Sequence, residues 1–344
     1  MNRVFFVITL AGSLLLGACA APRVKTTKLV SARFSEAAKL KDVAVLPFDG
    51  QDGGLFATEL EAVLAGISVN DKRFFALVDR AKLNSIMNEM KLAQSSLVNA
   101  ETAAQIGNVV GAKGIYTGVF SAKAQDTPFR ENRTRCAYTV TKYDKRGNPY
   151  EECAKYESYQ VECKKRVARV TATPKLIEVE TARIVYSNTL EGTSSSSACS
   201  DSRKPIAPAS ELIEEAKRQV KEKFRLDVAP HYVSVEIQLM KGKTGITSEE
   251  SARRLKMGLE YAENDRFDRA CELWDEALKL SPDAPSLLYN LGICAETGGD
   301  LDRAMSLYQR ADRNLGEPDK DIAAALRRIS ADIRNRQKLK EQVQ

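Results

Sequence analysis

Gly258, Ala270, Trp274 and Ala277 return as Gly292, Ala304, Tyr308 and Ala311, every one of them 34 residues further on. No other feature restricts the folding of this chain as much. Ala270, Trp274 and Ala277 stand at i, i+4 and i+7, which is one face of a helix, and Gly258 sits on the helical stretch before them. Two helices that meet at Gly and Ala can approach closely, and the aromatic ring one turn away fills the remaining gap. Pro282 closes the first unit. Tyr261 has only Ala295 opposite it in the second. "DKDIAAALRRISADIRNRQKLK" supplies a last amphipathic helix, with Ile322, Leu326 and Ile329 inward and Lys and Arg outward.

From residue 249 onward Ala, Leu, Arg and Glu dominate. Period and residue classes resemble the tetratricopeptide repeat. Residues 241–344 are therefore expected to form an all-α, tetratricopeptide-like domain of two repeats and a capping helix. The resemblance implies a groove that takes protein partners. Such arrays usually need about three units for independent stability, so this one is expected to lean on the α/β domain or on another chain.

The first half has a different periodicity. "KDVAVLPF" (41–48) reads as a strand, and Phe56, Leu60, Val63, Leu64 and Ile67 follow at helical spacing. "RFFALVDR" (73–80) reads as a second strand, followed by a helix with Leu83, Ile86, Met87 and Met90 on one face. Asn99 and Gly111 are the expected caps of a third helix, and "KGIYTGVFSA" is a third strand. Strands alternating with helices predict an α/β layer, with Val43, Val45, Leu77, Ile115 and Val119 buried.

At the N-terminus Arg3 precedes an apolar run from Val4 to Leu16. Thirteen helical residues span roughly 20 Å, short of a hydrocarbon core of about 30 Å, so the run reads as a secretory signal (residues 1–18) and not as a membrane span. Leu16-Gly17-Ala18-Cys19 resembles a bacterial lipobox. The resemblance implies a thiol that carries diacylglycerol, an acyl chain on the new amino group, and anchoring by several chains, each methylene contributing about 0.8 kcal/mol. Ala20 after the cysteine implies sorting to the outer membrane, with residues 19–40 as a lipidated tether.

The formal charge is +6, but basic residues are interleaved with acids, as in "KEKFRLD". That is a solvated surface and no nucleic-acid stripe. His231 is the single histidine and lacks an evident nucleophile and orienting acid. "DGQDGG" (49–54) has neither the full glycine fingerprint nor the Lys-Ser/Thr of a phosphate loop, and it reads as a tight turn. No enzyme, cofactor or metal site is expected. Besides Cys19 there are six cysteines, none in C-x-x-C spacing. Cys136 and Cys153 lie symmetrically about Asp144–Lys145, and Cys163 and Cys199 about Thr181. Two disulfide-closed hairpins follow, although four cysteines allow three connectivities. Cys271 and Cys294 read as small core residues of adjacent repeat helices, with a bridge between them left open.

"VAVLPF", "FALVDRAKLNSIMNEMKL", "TAAQIGNVVGAKGIYTGVF", "LIEVETARIVYS" and "VAPHYVSVEIQL" together resemble the curli-secretion lipoprotein family of the CsgG type. The resemblance covers roughly residues 41–240 and implies an α/β (α+β) periplasmic domain that assembles into rings. It departs in the insert, residues 122–205, where the family's pore formers carry membrane hairpins. Here Lys142, Lys145, Arg146, Lys155, Lys164, Lys165 and Arg166 put charge on both faces, and each Lys or Arg at a bilayer midplane costs roughly 2–4 kcal/mol. The constriction loop expected after the first strand is only "DGQDGG". The expectation is an outer-membrane lipoprotein, homo-oligomeric, with a structural, assembly or export role for a surface structure. The alternatives are a monomeric adaptor that captures peptides through its repeats and a curli-type channel subunit.

Overall fold

The computed structural model describes residues 22–89 and 99–343, which form two compact units. Cys19 and Met90 lie outside the described residues.

The α/β unit comprises residues 29–89 and 99–231 with 338–343. Its central strand β2 (Asp42–Val45) runs parallel to β5 (Ala76–Leu77) on one side and to β6 (Gly114–Tyr143) on the other. β7 (Pro149–Glu178) lies antiparallel to β6, and β8 (Arg183–Ser187) and β9 (Leu190–Cys199) return along the far side of β7. Alternate residues of a strand face opposite ways, and both faces of β2 are covered. Val43 and Val45 face α2 (Gly53–Ala65) and α5 (Ala209–Val228). Ala44 and Leu46 face α3 (Arg80–Glu89) and α4 (Ala100–Val110). Burial on both faces is why this strand reads as an unbroken apolar run.

The expected caps of α4 are present: the Asn99 side chain accepts the Thr102 N–H, and Gly111 takes φ 80°. "DGQDGG" is a tight turn held by close backbone approach. A Cβ at Gly53 would stand 2.0 Å from the Phe48 carbonyl oxygen, and one at Gly50, whose φ is 104°, 2.1 Å from that of Phe120.

Three expectations are corrected. The strand over 73–80 shrinks to Ala76–Leu77, because Lys72–Arg73 (β4) folds back on Ser68–Val69 (β3) and leaves Phe74 and Phe75 to enter the core. Leu77 is only half-buried, since β5 is a two-residue edge strand, and Val119 is 50% exposed, because it lies beyond the helices that cover Ile115. The tether expected over 19–40 is, among the described residues, largely regular structure: Arg23–Val30 is strand β1 and Ser35–Lys39 is helix α1.

Glu59 of α2 meets Lys217 and Lys221 of α5, both at 2.7 Å. Burial alone would raise the Glu59 carboxyl, but the two ammonium groups outweigh it and hold it below the usual carboxylate range. A carboxyl whose folded pKa is depressed stabilises the fold above its unfolded pKa and loses that contribution as pH falls through the folded one. Glu59→Gln is therefore expected to be less stable than the parent at pH 7, and the gap should close as the pH drops below about 4.5. Parallel urea titrations at pH 7 and pH 3 check this; a gap that persists at pH 3 contradicts it.

The helical unit comprises residues 232–337 with residues 22–28. α6 (Glu249–Glu263) pairs with α7 (Phe267–Leu280), α8 (Pro285–Thr297) with α9 (Leu301–Leu315), and α10 (Lys320–Val343) follows. β10 (His231–Gln238) pairs with β1. The boundary expected at 240/241 thus moves to about residue 231, and the unit also takes in residues 22–28. The last residues of α10 belong to the α/β unit. There buried Gln342 accepts the Ala32 N–H at 2.8 Å and donates to Ser35 Oγ at 2.9 Å, while Lys41 donates to the Gln342 carbonyl.

Candidate interaction surfaces

The repeat residues meet as their spacing requires. A Cβ on Gly258 would lie 2.2 Å from Trp274 Nε1, and one on Gly292 2.5 Å from Tyr308 Cε1. Ala270, Ala277, Ala304 and Ala311 are fully buried beside these rings. Trp274 Nε1 donates to the Leu255 carbonyl at 3.2 Å. Trp274, the only tryptophan, should therefore emit at short wavelength in the native protein and shift red on unfolding; red native emission would contradict the packing. Ile322 and Ile329 of α10 are buried and Leu326 is half-buried, while Tyr261 is 37% exposed.

Spacing alone does not reveal the polar lock beside Tyr308. Arg328 of α10 grips Glu296 of α8 with two hydrogen bonds of 2.6 and 2.9 Å, and the Tyr308 hydroxyl donates to the same carboxylate at 2.7 Å. Burial, together with that carboxylate, pushes the Tyr308 hydroxyl up, so it stays a donor. Cys271 and Cys294 are bridged, tying α7 to α8 across the repeat boundary.

In the α/β unit the insert departs from the expectation of two separate hairpins. β6 and β7 pair from Gly114↔Glu178 out to Tyr143↔Pro149, so the two middle strands of the sheet simply continue outward as an arm. Thirty residues of strand span about 100 Å. β9 accompanies the arm as far as Cys163↔Cys199, where a disulfide closes it, and Cys136–Cys153 staples the arm near its tip. At the tip the Asp144 carboxylate accepts the N–H groups of Arg146 and Asn148, at 2.8 and 2.9 Å. The Asn148 N–H foremost holds that carboxyl below its usual range. The centre of the turn falls near residue 146, and an irregularity around Tyr138 brings Cys136 within reach of Cys153.

Several of the arm's charges, three of those that argue against lipid among them, are matched across the strands. Lys142 pairs with Glu152 at 2.9 Å, Arg135 with Glu157 at 2.6 Å, and Arg166 and Lys164 with Asp126 at 2.7 and 3.7 Å. Tyr138, Tyr143, Tyr150 and Tyr156 are exposed near the tip. Among the described residues one group gathers three potential metal ligands, Glu131, Cys163 and Cys199. Its two sulfurs are bonded to each other and Arg133 pairs with Glu131 at 3.0 Å, which leaves no ligand set. His231 is half-buried at the start of β10, with Nδ1 3.4 Å from the Ala229 carbonyl oxygen. No described helix is long and apolar enough to cross a membrane.

These units define a class: an α/β layer with a long stapled β-arm, joined to a two-repeat helical array. The α/β unit is similar to the curli production assembly/transport component CsgG, whose profile matches residues 46–127 and 136–208, and residues 255–329 match a tetratricopeptide repeat. The match takes in the arm's tip and its β7 strand but leaves out residues 128–135 of β6. Among solved structures, the LpoB C-terminal domain from Salmonella enterica aligns over 46% of this chain and 94% of its own, at 16% identity and a TM-score of 0.25. No curated protein matches the sequence.

Proposed function

We propose that this protein is a lipid-anchored component of the bacterial envelope that serves, as an oligomer, in export or assembly of a surface structure. The observation that carries the reading is the match of the secretion-component profile to the α/β unit. The N-terminal signal and its Leu-Gly-Ala-Cys ending support a lipid on Cys19 and a place on the periplasmic face of the outer membrane. No catalysis, cofactor or metal is assigned to it. The charged arm makes a channel role the weaker form of this reading.

Light scattering with negative-stain imaging of the detergent-extracted protein tests it. A ring of many subunits supports the assembly role, and a monomer overturns it. Cys19→Ser is expected to move the protein from the membrane fraction to the soluble one. Retention of a variant with a cleaved signal contradicts the anchor. A second reading, capture of a protein segment by the repeats, is favoured by one observation: Asn290 of α8 hydrogen-bonds to a main chain on the inner face of the array.

A further inference from the structure

Asn290 lies two residues before Gly292, and helix residues advance by about 100° each, so the two point nearly opposite ways. Gly292 faces Tyr308 of α9. Asn290 therefore faces away from Tyr308, whereas Tyr289 packs on that ring with centroids 5.6 Å apart. Asn290 shares a stripe with Ser286 and Ile293, and all three are buried.

Residues 235–240 of the same chain cover it. The Asn290 side chain accepts the Met240 N–H and donates to the Met240 carbonyl, both at 2.9 Å. Tyr289 donates to the Gln238 carbonyl at 3.2 Å. Ile237 and Leu239 are buried in one cluster with Leu287 and Ile293, and Val235 packs against it. The N-terminal strand backs this segment: Leu239 N–H donates to the Pro22 carbonyl at 2.8 Å, Val24 joins the same cluster, and Lys28 pairs with Asp332 of α10 at 2.5 Å. An amide that both donates to and accepts from one residue's main chain reads an extended strand whatever its side chain. The apolar floor reads residues at every second position.

We propose that the inner face of the repeats is a strand-binding site whose resident ligand is residues 235–240, and that a partner enters only by displacing them with an extended segment apolar at alternate positions. This rests on the reading of the repeats as a protein-binding module. The resident is tethered to the groove by the few residues before α6, which gives it a high effective concentration. A free peptide of the same sequence is thus outcompeted in the intact protein.

The test uses a labelled peptide of residues 232–241 and the full chain. Ile237→Asp combined with Leu239→Asp expels the resident. Peptide affinity should then rise at least ten-fold over the parent, and adding Asn290→Leu should abolish the gain. Equal binding by the parent, or no binding by an expelled variant with native circular dichroism and Trp274 emission, overturns the proposal. Should that variant unfold, hydrogen exchange of the parent decides. Leu239 and Met240 amides exchanging at least ten-fold faster than those of α8 support displacement, and exchange in step with α8 overturns it. If the repeats capture no partner at all, the peptide still enters the vacated groove, so the two failures remain distinct.

Discussion

Glu296→Ala is expected to destabilise the helical unit by about 3–5 kcal/mol. The Glu296 side chain is 6% exposed and its partner Arg328 18%. Removing the carboxylate leaves a guanidinium with little water to replace its two hydrogen bonds, and strips the Tyr308 hydroxyl of its acceptor. A buried charge without its partner is among the costliest of single changes, whereas replacing both partners with apolar groups is often nearly neutral. Glu296→Leu with Arg328→Met should therefore recover most of the loss. Denaturant titration followed by Trp274 emission reads both. A loss under about 1 kcal/mol for Glu296→Ala would mean that water reaches the pair and that the lock adds little.

In the α/β unit the largest effect is expected from Phe56→Ala, about 3–5 kcal/mol. Phe56 is 1% exposed, stacks on Phe120 with centroids 4.3 Å apart and meets Phe48 edge-on at 5.5 Å. Truncation empties a ring-sized space between α2 and the sheet, and Phe48 and Phe120 cannot both close over it. Leu55, one residue earlier and 67% exposed, is the control; Leu55→Ala should stay within about 0.5 kcal/mol. Similar losses for the two substitutions would show that the register of α2 against the sheet is wrong.

What the sequence disclosed, and what it hid, follows from the range of each interaction. Gly258 against Trp274 and Gly292 against Tyr308 were legible because two complementary shapes recur at one spacing. Asn99 and Gly111 were legible because a helix end makes its demand on residues a few positions away. The pair Cys163–Cys199 follows the symmetry of its turn, since antiparallel strands put residues equidistant from a turn side by side, whereas Cys136–Cys153 stands off the centre of its turn and closes through the irregularity near Tyr138. Val119 and Leu77 failed because period and hydrophobicity do not say where a covering helix stops. Glu296–Arg328, Gln342 with Ala32, and residues 235–240 in the repeat groove join positions 32, 310 and about 50 apart, and no local pattern marks such partners. The strand at Arg23–Val30 was missed for the same reason: it is polar and becomes a strand only because β10 lies beside it.

The three bridges join the first of the six cysteines to the second, the third to the fourth and the fifth to the sixth, at separations of 17, 36 and 23 residues. No loop encloses or crosses another. A chain entering an oxidising compartment N-terminus first presents, at each even-numbered cysteine, one unpaired thiol already waiting, and it is the correct one. Each bond can close before a competitor arrives. Delivered that way, with Cys19 held by lipid, the chain would need an oxidant but no reshuffling catalyst, and vectorial delivery alone would select one of the fifteen pairings that six thiols allow.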